Sequence, residues 1–130
     1  MLTAGAIMTT DLITVRPDSS IEEAIELLLS QCISGMPVID DDGHLVGIIT
    51  EFALLAVTYD KHVKNHTVSQ HMTREVITVD VNDPICRIAD LCIVHRVRRV
   101  PVMNEGRLIG LIARRDVLRA LVESPAACMA

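Results

Sequence analysis

Met36-Pro37-Val38-Ile39-Asp40-Asp41-Asp42-Gly43-His44-Leu45-Val46-Gly47-Ile48-Ile49 is a stretch that the chain writes a second time. It returns, one residue shorter in the middle, as Val100-Pro101-Val102-Met103-Asn104-Glu105-Gly106-Arg107-Leu108-Ile109-Gly110-Leu111-Ile112. In both copies an apolar run holding a proline leads into an acidic turn closed by glycine, and a second apolar run follows. Each copy therefore reads as two strands joined by a tight turn. Further out, Met8-Thr9 with Ile13-Thr14-Val15 returns 64 residues on as Met72-Thr73 with Ile77-Thr78-Val79. The chain is a duplication, and two similar units with complementary faces leave a cleft between them in which function is expected.

Each copy carries two helices beside the hairpin. Ser19-x-x-Glu22 reads as a capping box ahead of Ile21, Ala24, Ile25, Leu28, Leu29 and Cys32, which keep helical spacing. In the second copy Asp83 reads as the N-cap and Pro84 as the first helical residue, before Ile85, Ile88, Ala89, Cys92 and Ile93. The second helices begin near Thr50 or Glu51 and near Arg114. With a short strand before each first helix the order is β-α-β-β-α, twice, an α/β chain of the α+β kind. Residues 1–130 make one module: repeat 1 at 6–60, a polar connector at 61–70 and repeat 2 at 71–123. Thr3 to Thr10 leads in, and Glu123 to Ala130 is expected to fray.

With 130 residues, half of them apolar but only one Phe, one Tyr and no Trp, the interior must be aliphatic. No apolar run reaches the roughly 18 residues of a membrane span, and no basic-then-apolar leader opens the chain. A cytoplasmic protein with no membrane partner is expected. Cys32, Cys86 and Cys92 stand at apolar positions and, with Cys128, form no C-x-x-C pair. They read as small buried hydrophobes in a reducing compartment.

Charge divides unevenly: residues 1–65 hold 10 acids and 3 bases, residues 66–130 hold 7 acids and 9 bases. The arginines Arg96, Arg98, Arg99, Arg107, Arg114, Arg115 and Arg119 fit a solvated surface, a small anion or a partner protein. A net charge of −5 and the lack of stacking aromatics speak against nucleic acid. His62, His66 and His71 lie in or beside the connector without the further ligands and second shell a zinc site wants, so no metal site is expected. Asp40 to Asp42 read as a solvated turn. No phosphate loop or nucleophile motif occurs, so no catalytic residue is assigned and the chain is not expected to be an enzyme.

The repeated β-α-β-β-α unit, with its h-P-V strand, acidic-Gly turn, G-h-h strand and following Asp, resembles the cystathionine-β-synthase (CBS) domain. Two in tandem resemble a Bateman module standing alone. The resemblance implies two repeats packed with pseudo-two-fold symmetry. It further implies clefts that take an adenosine-containing ligand, such as AMP, ADP, ATP or S-adenosylmethionine, as a regulatory ligand and not an obligatory cofactor. The family segment G-h-h-[Ser/Thr]-x-x-Asp is split here. Gly47-Ile48-Ile49-Thr50-Glu51-Phe52-Ala53 keeps the hydroxyl, and Gly110-Leu111-Ile112-Ala113-Arg114-Arg115-Asp116 keeps the carboxylate. A carboxylate can bind both ribose hydroxyls, and guanidinium groups replace a hydroxyl at a phosphate, so the Asp116 cleft is favoured. Its expected ligand residues are Asp116, Arg98, Arg99, Leu111, Arg114 and Arg115 from repeat 2, with Met8, Asp11, Ile13, Ile33, Ser34 and Gly35 from repeat 1. Thr50, Ile48 and Ile77 mark the weaker cleft. The resemblance also implies a homodimer joined through the helices' apolar stripes, with an unidentified protein as target. The alternative is a module for dimerisation or protein interaction that binds no nucleotide.

Overall fold

The computed structural model describes residues 2–60 and 65–128. They form two compact units, Ile13–Val76 and a second made of Met1–Leu12 with Ile77–Ala130. The lead-in of the first repeat thus belongs with the second repeat, and residues 65–76, the end of the connector and the start of the second repeat, belong with the first.

In the Ile13–Val76 unit, α2 (Ile21–Gln31) precedes the antiparallel pair β1 (Gly35–Ile39) and β2 (Leu45–Thr50), and α3 (Glu51–Tyr59) follows. Val15 bridges Val38 in parallel on one side, and Thr73 bridges Ile48 antiparallel on the other. The second unit repeats this order. After α1 (Ala4–Ile7), β3 (Val79–Asp80) runs parallel to β4 (Arg99–Asn104), β4 runs antiparallel to β5 (Arg107–Ala113), and Thr9 bridges Leu111. α4 (Ile85–Val94) and α5 (Arg114–Glu123) complete it. Even the register shift is duplicated, between Val38 and Ile39 and between Val102 and Met103.

The missing residue of the second hairpin has a geometric cause. Glu105 and Gly106 both take positive φ, 51° and 81°, as a two-residue turn matched to strand twist requires. The first hairpin is longer and is held by Asp40, whose Oδ1 accepts from the N–H groups of Asp42 and His44 at 3.0 and 2.8 Å. Gly43 supplies the positive φ, 83°. The helix-to-strand turn of the first repeat lies at Cys32 with φ 53°, three residues before Gly35. Arg96 takes the same left-handed place in repeat 2, and Gly35 is an ordinary strand residue opposite Thr50.

Two helix starts differ from expectation. Ser20, not Ser19, caps α2, accepting from Glu23 N–H at 3.1 Å, while Ser19 Oγ accepts from Arg16 N–H. A box read from spacing alone slips easily when two serines adjoin. Ser20→Ala should cost about 1 kcal/mol in urea unfolding, and Ser19→Ala less. At α4 the cap is Pro84. Asp83 turns its carboxylate back to Asp80 N–H at 2.9 Å and to Arg87.

Each unit has its own aliphatic core. Met36, Val38, Ile49 and Val68 are fully buried in one, and Ala4, Ile88, Val100, Val102 and Ile112 in the other. Val68 and Met72 therefore anchor residues 65–73, and hydrogen bonds from Ile21 N–H to His66 O, Val68 N–H to Ser19 O and Ser69 N–H to Pro17 O strap this segment over the start of α2. Lys61 to Lys64 of the expected connector, with His62, lie outside the described residues.

The tail and the cysteines correct the sequence reading. Pro125–Cys128 forms a 3₁₀ turn, and Cys128 is joined to Cys86 of α4 by a disulfide. Cys32 is exposed rather than a core residue, and Cys92 is half-buried. A disulfide of this kind removes the cysteine-based argument for a reducing compartment. No helix among the described residues is long and apolar enough to cross a membrane.

Candidate functional site

The two positions that divide the family segment do related jobs at equivalent helix starts. β2 runs straight into α3 and β5 into α5, so the first residues of each helix need partners for amide groups that no preceding turn supplies. At α3, Thr50 Oγ1 accepts from Ala53 N–H at 3.2 Å. At α5, Asp116 Oδ2 accepts from Ala113 N–H at 2.9 Å. These are the two halves of a reciprocal capping box. The first repeat retains the hydroxyl half and the second the carboxylate half, and Ala53 and Ala113 have no side-chain oxygen to complete either.

What remains on each group sets its chemistry. A carboxylate has about four acceptor sites, so Asp116 keeps Oδ1, 3.9 Å from Arg119 Nη1, while Oδ2 caps the helix. Its side chain is only 20% exposed. Thr50 accepts with its oxygen and can still donate its O–H. Asp116 suits a pair of hydroxyls, and Thr50 suits a phosphate oxygen.

Around Asp116 the Met1–Leu12/Ile77–Ala130 unit gathers several of the expected residues. Thr9 and Leu111 exchange both backbone hydrogen bonds, at 2.8 and 3.0 Å, and Met8 lies across Gly110, whose missing side chain makes room for it. Arg114 N–H donates to Arg98 O at 3.0 Å, and Arg99 pairs with Ala113 across the sheet. Met8, Arg98, Arg99, Leu111, Arg114, Arg115 and Asp116 thus cluster at the β5–α5 junction. Asp11 and Ile77 fall in the same unit. Ile13, Ile33, Ser34, Gly35, Ile48 and Thr50 belong to the other, where Glu51 N–H donates to Ser34 O at 2.9 Å and Gly35 pairs with Thr50.

Cys92 on α4, at an apolar position of the sequence, is half-buried and feels the charge of Arg114. Burial pushes its thiol up from the ordinary range, and the positive charge of Arg114 opposes this in part. A raised thiol has less thiolate at neutral pH. Alkylation of Cys92 should therefore lag behind that of exposed Cys32 and gain speed only at higher pH. Equal rates at pH 7.5, read by peptide mass spectrometry, would contradict this.

The histidines and the acidic turn are also defined. His66 Nδ1 and His71 Nε2 are 2.8 Å apart, with ring centroids 5.1 Å apart and planes inclined by 16°. The centroid distance is the N···N distance plus both ring radii, so the rings meet edge to edge and are not stacked face to face. The two nitrogens face each other directly, whereas two ligands of one metal would aim at a third point. At the hairpin, Asp40, Asp42 and His44 have ligand atoms within 4.8 Å of one another. The His44 N–H bond holds the Asp40 carboxyl below its usual range, against an opposing desolvation. That carboxylate serves the turn, and Arg16 pairs with Asp41 beside it.

The family model for the CBS domain matches residues 4–59 and 68–123, nearly the whole chain. The chain belongs to the CBS domain family. The inosine-5′-monophosphate dehydrogenase of Methanocaldococcus jannaschii is 38% identical over 89% of this CBS pair, which spans 23% of that enzyme's length. Another protein of the same organism, 32% identical over 88% of the pair, is spanned over 41% of its length. Among solved structures, the Arabidopsis thaliana CBS-pair protein CBSX2 in complex with AMP is 32% identical, with a TM-score of 0.86 over 95% of this chain and 98% of that one. The CBS domain pair of protein MJ0100, in complex with 5′-methylthioadenosine and S-adenosyl-L-methionine, is 28% identical with a TM-score of 0.83 over the same shares.

Proposed function

We propose that this CBS pair is a regulatory module that binds an adenosine-containing ligand, AMP, ADP, ATP or S-adenosylmethionine, at the β5–α5 junction. The observation that carries the reading is Asp116, whose second carboxylate oxygen is left to accept ribose hydroxyls while the first caps α5. Arg98, Arg99, Arg114 and Arg115 supply positive charge for a phosphate nearby. The AMP complex of CBSX2 and the S-adenosylmethionine complex of MJ0100 support the ligand class. Met8 and Asp11, from the same unit, complete the proposed ligand set, and Thr50 and Ile48 mark a weaker second site within the Ile13–Val76 unit. The module catalyses nothing in this reading and acts by ligand-dependent affinity for a protein target.

Isothermal titration with AMP, ADP, ATP and S-adenosylmethionine tests it. A charge-assisted pair of hydrogen bonds is worth about 2 kcal/mol, so Asp116→Ala should weaken binding roughly thirtyfold. Thr50→Ala should change it by less than about threefold. Undiminished affinity in Asp116→Ala would sink the assignment.

One observation favours a second reading, in which the module only dimerises or docks. Neither repeat keeps both halves of the family segment, Ala53 and Ala113 standing where the other halves belong. That reading predicts no heat with any of the four ligands. Under either reading we propose a homodimer, supported by the large apolar side chains that the helices expose.

A further inference from the structure

The disulfide between Cys86 and Cys128 joins two ends that are unequally open to solvent. Cys128 closes the Pro125–Cys128 turn and is exposed, whereas Cys86 stands in the first turn of α4 and is half-buried. The carbonyl oxygen of Ala127 lies 3.1 Å from Cys86 Sγ, and Ala127 itself packs against the aliphatic core of this unit. The turn therefore screens one sulfur and presents the other. A thiolate arriving from solution meets Cys128 Sγ first.

Thiol–disulfide exchange depends on which sulfur is open to attack and on how readily the other leaves as a thiolate. Cys86 is the second residue of α4, a helix of 10 residues whose N-cap, Pro84, makes no side-chain hydrogen bond. A thiolate released there sits at the positive end of the helix, where cysteine thiols are acidified. Asp83 does not cancel this, because its carboxylate is held by Asp80 N–H at 2.9 Å and by Arg87. Asp90, one turn further along, is exposed, and solvent and salt screen its charge. Cys92 is no internal attacker. It lies about two-thirds of a turn around α4 from Cys86, and burial pushes its thiol up.

We propose that Cys86–Cys128 is a thiol-exchange site, at which a low-molecular-weight thiol is joined to Cys128 and the Pro125–Cys128 turn is released from α4. The incoming thiolate bonds to Cys128 Sγ, the Cys86–Cys128 bond breaks, and its electron pair goes to Cys86 Sγ, which then takes a proton from water. A second thiolate attacks the sulfur of the attached small thiol and frees Cys128, which is protonated in turn. Two small thiols are thus oxidised to one disulfide, and the protein disulfide is reduced. Once the bond is open, the hydrogen bonds of the turn, from Ser124 N–H to Ala120 O and from Ala127 N–H to Ser124 O, are local to α5 and the turn itself. Neither cysteine belongs to the proposed nucleotide site, so this exchange stands apart from that reading.

Reduced glutathione is the probe. The full chain, oxidised beforehand with glutathione disulfide, is treated at about pH 7.5 with about 5 mM reduced glutathione, quenched with acid and mapped by peptide mass spectrometry. The first product should carry glutathione on Cys128 and a free thiol on Cys86, at least about tenfold over the opposite adduct. Equal adducts, or more at Cys86, overturn the proposal, as does a pair of cysteines that does not oxidise. Urea separates exchange in the folded chain from exchange through unfolding. About 1 M urea raises the unfolded population roughly tenfold, so the exchange rate should change by less than about twofold, and a rate that climbs with the unfolded population overturns the proposal. Hydrogen exchange of the reduced chain reads the release of the turn. The amides of Ser124 and Ala127 should exchange within about tenfold of unprotected rates while those of β4 and β5 stay protected, and a turn that keeps its protection after reduction overturns it.

Discussion

Reducing the Cys86–Cys128 disulfide should lower the unfolding free energy by about 4 kcal/mol, a large part of what a chain of this size has. The bond closes a loop of 42 residues that runs from the first turn of α4 through the whole of β4, β5 and α5. Cross-linking such a loop removes conformations from the unfolded chain, and the loss grows with the logarithm of loop length. The Cα atoms lie 5.3 Å apart, inside the range a disulfide bridges without moving the backbone, so the native state gives little of this back. In melting temperature the effect is roughly 12–16 °C. Urea unfolding with and without a phosphine reductant measures it, and the Cys86→Ser/Cys128→Ser double variant should match the reduced protein. Cys32→Ser is the control, since that exposed thiol closes no loop. An oxidised and a reduced protein with the same midpoint would refute the expectation.

Why the sequence concealed this bond is plain from where its ends lie. Cys86 stands on the apolar stripe of α4, where a cysteine passes for a small hydrophobe, and Cys128 sits in a tail with no periodicity. Helices, hairpins and turns were legible because each rests on local chemistry. The h-P-V strands, the glycine turns and the helix starts at Glu51 and Arg114 follow from spacing of a few residues. Pairing between distant segments does not. Met8-Thr9 could bridge Gly47-Ile48 or Gly110-Leu111, and Met72-Thr73 has the same two options, because duplication made both strands alike. Only chain connectivity and packing decide, and they send each lead-in to the strand of the other repeat. The functional positions were half legible for the same reason. That Thr50 and Asp116 each keep one half of a segment was visible in the letters, whereas their shared work as helix caps appears only when the amide groups of Ala53 and Ala113 are placed.

Gly47→Val should destabilise the protein by about 3 kcal/mol, and the companion change Gly110→Val by clearly less. A side chain at Gly47 would put its Cβ 2.7 Å from Met72 Sδ and 2.8 Å from the carbonyl oxygen of Thr73. The methionine can swing away, at the cost of leaving a core in which it is 9% exposed. The carbonyl cannot, because Thr73 O accepts from Ile48 N–H at 2.9 Å while Thr73 N–H donates to Ile48 O at 2.8 Å. Relief therefore requires breaking this bridge and loosening residues 65–73 from β2. At Gly110 the near atoms all belong to the side chain of Met8, which is half-buried and flexible. Partner truncation separates the two cases. Met8→Ala should recover most of the loss in Gly110→Ala, whereas Met72→Ala should recover only part of it in Gly47→Ala, since the Thr73 carbonyl stays in place. Equal recovery at both glycines, in double-mutant cycles read by urea unfolding, would mean that Thr73 is not held against β2, and with it would fall the exchange of lead-in segments between the repeats.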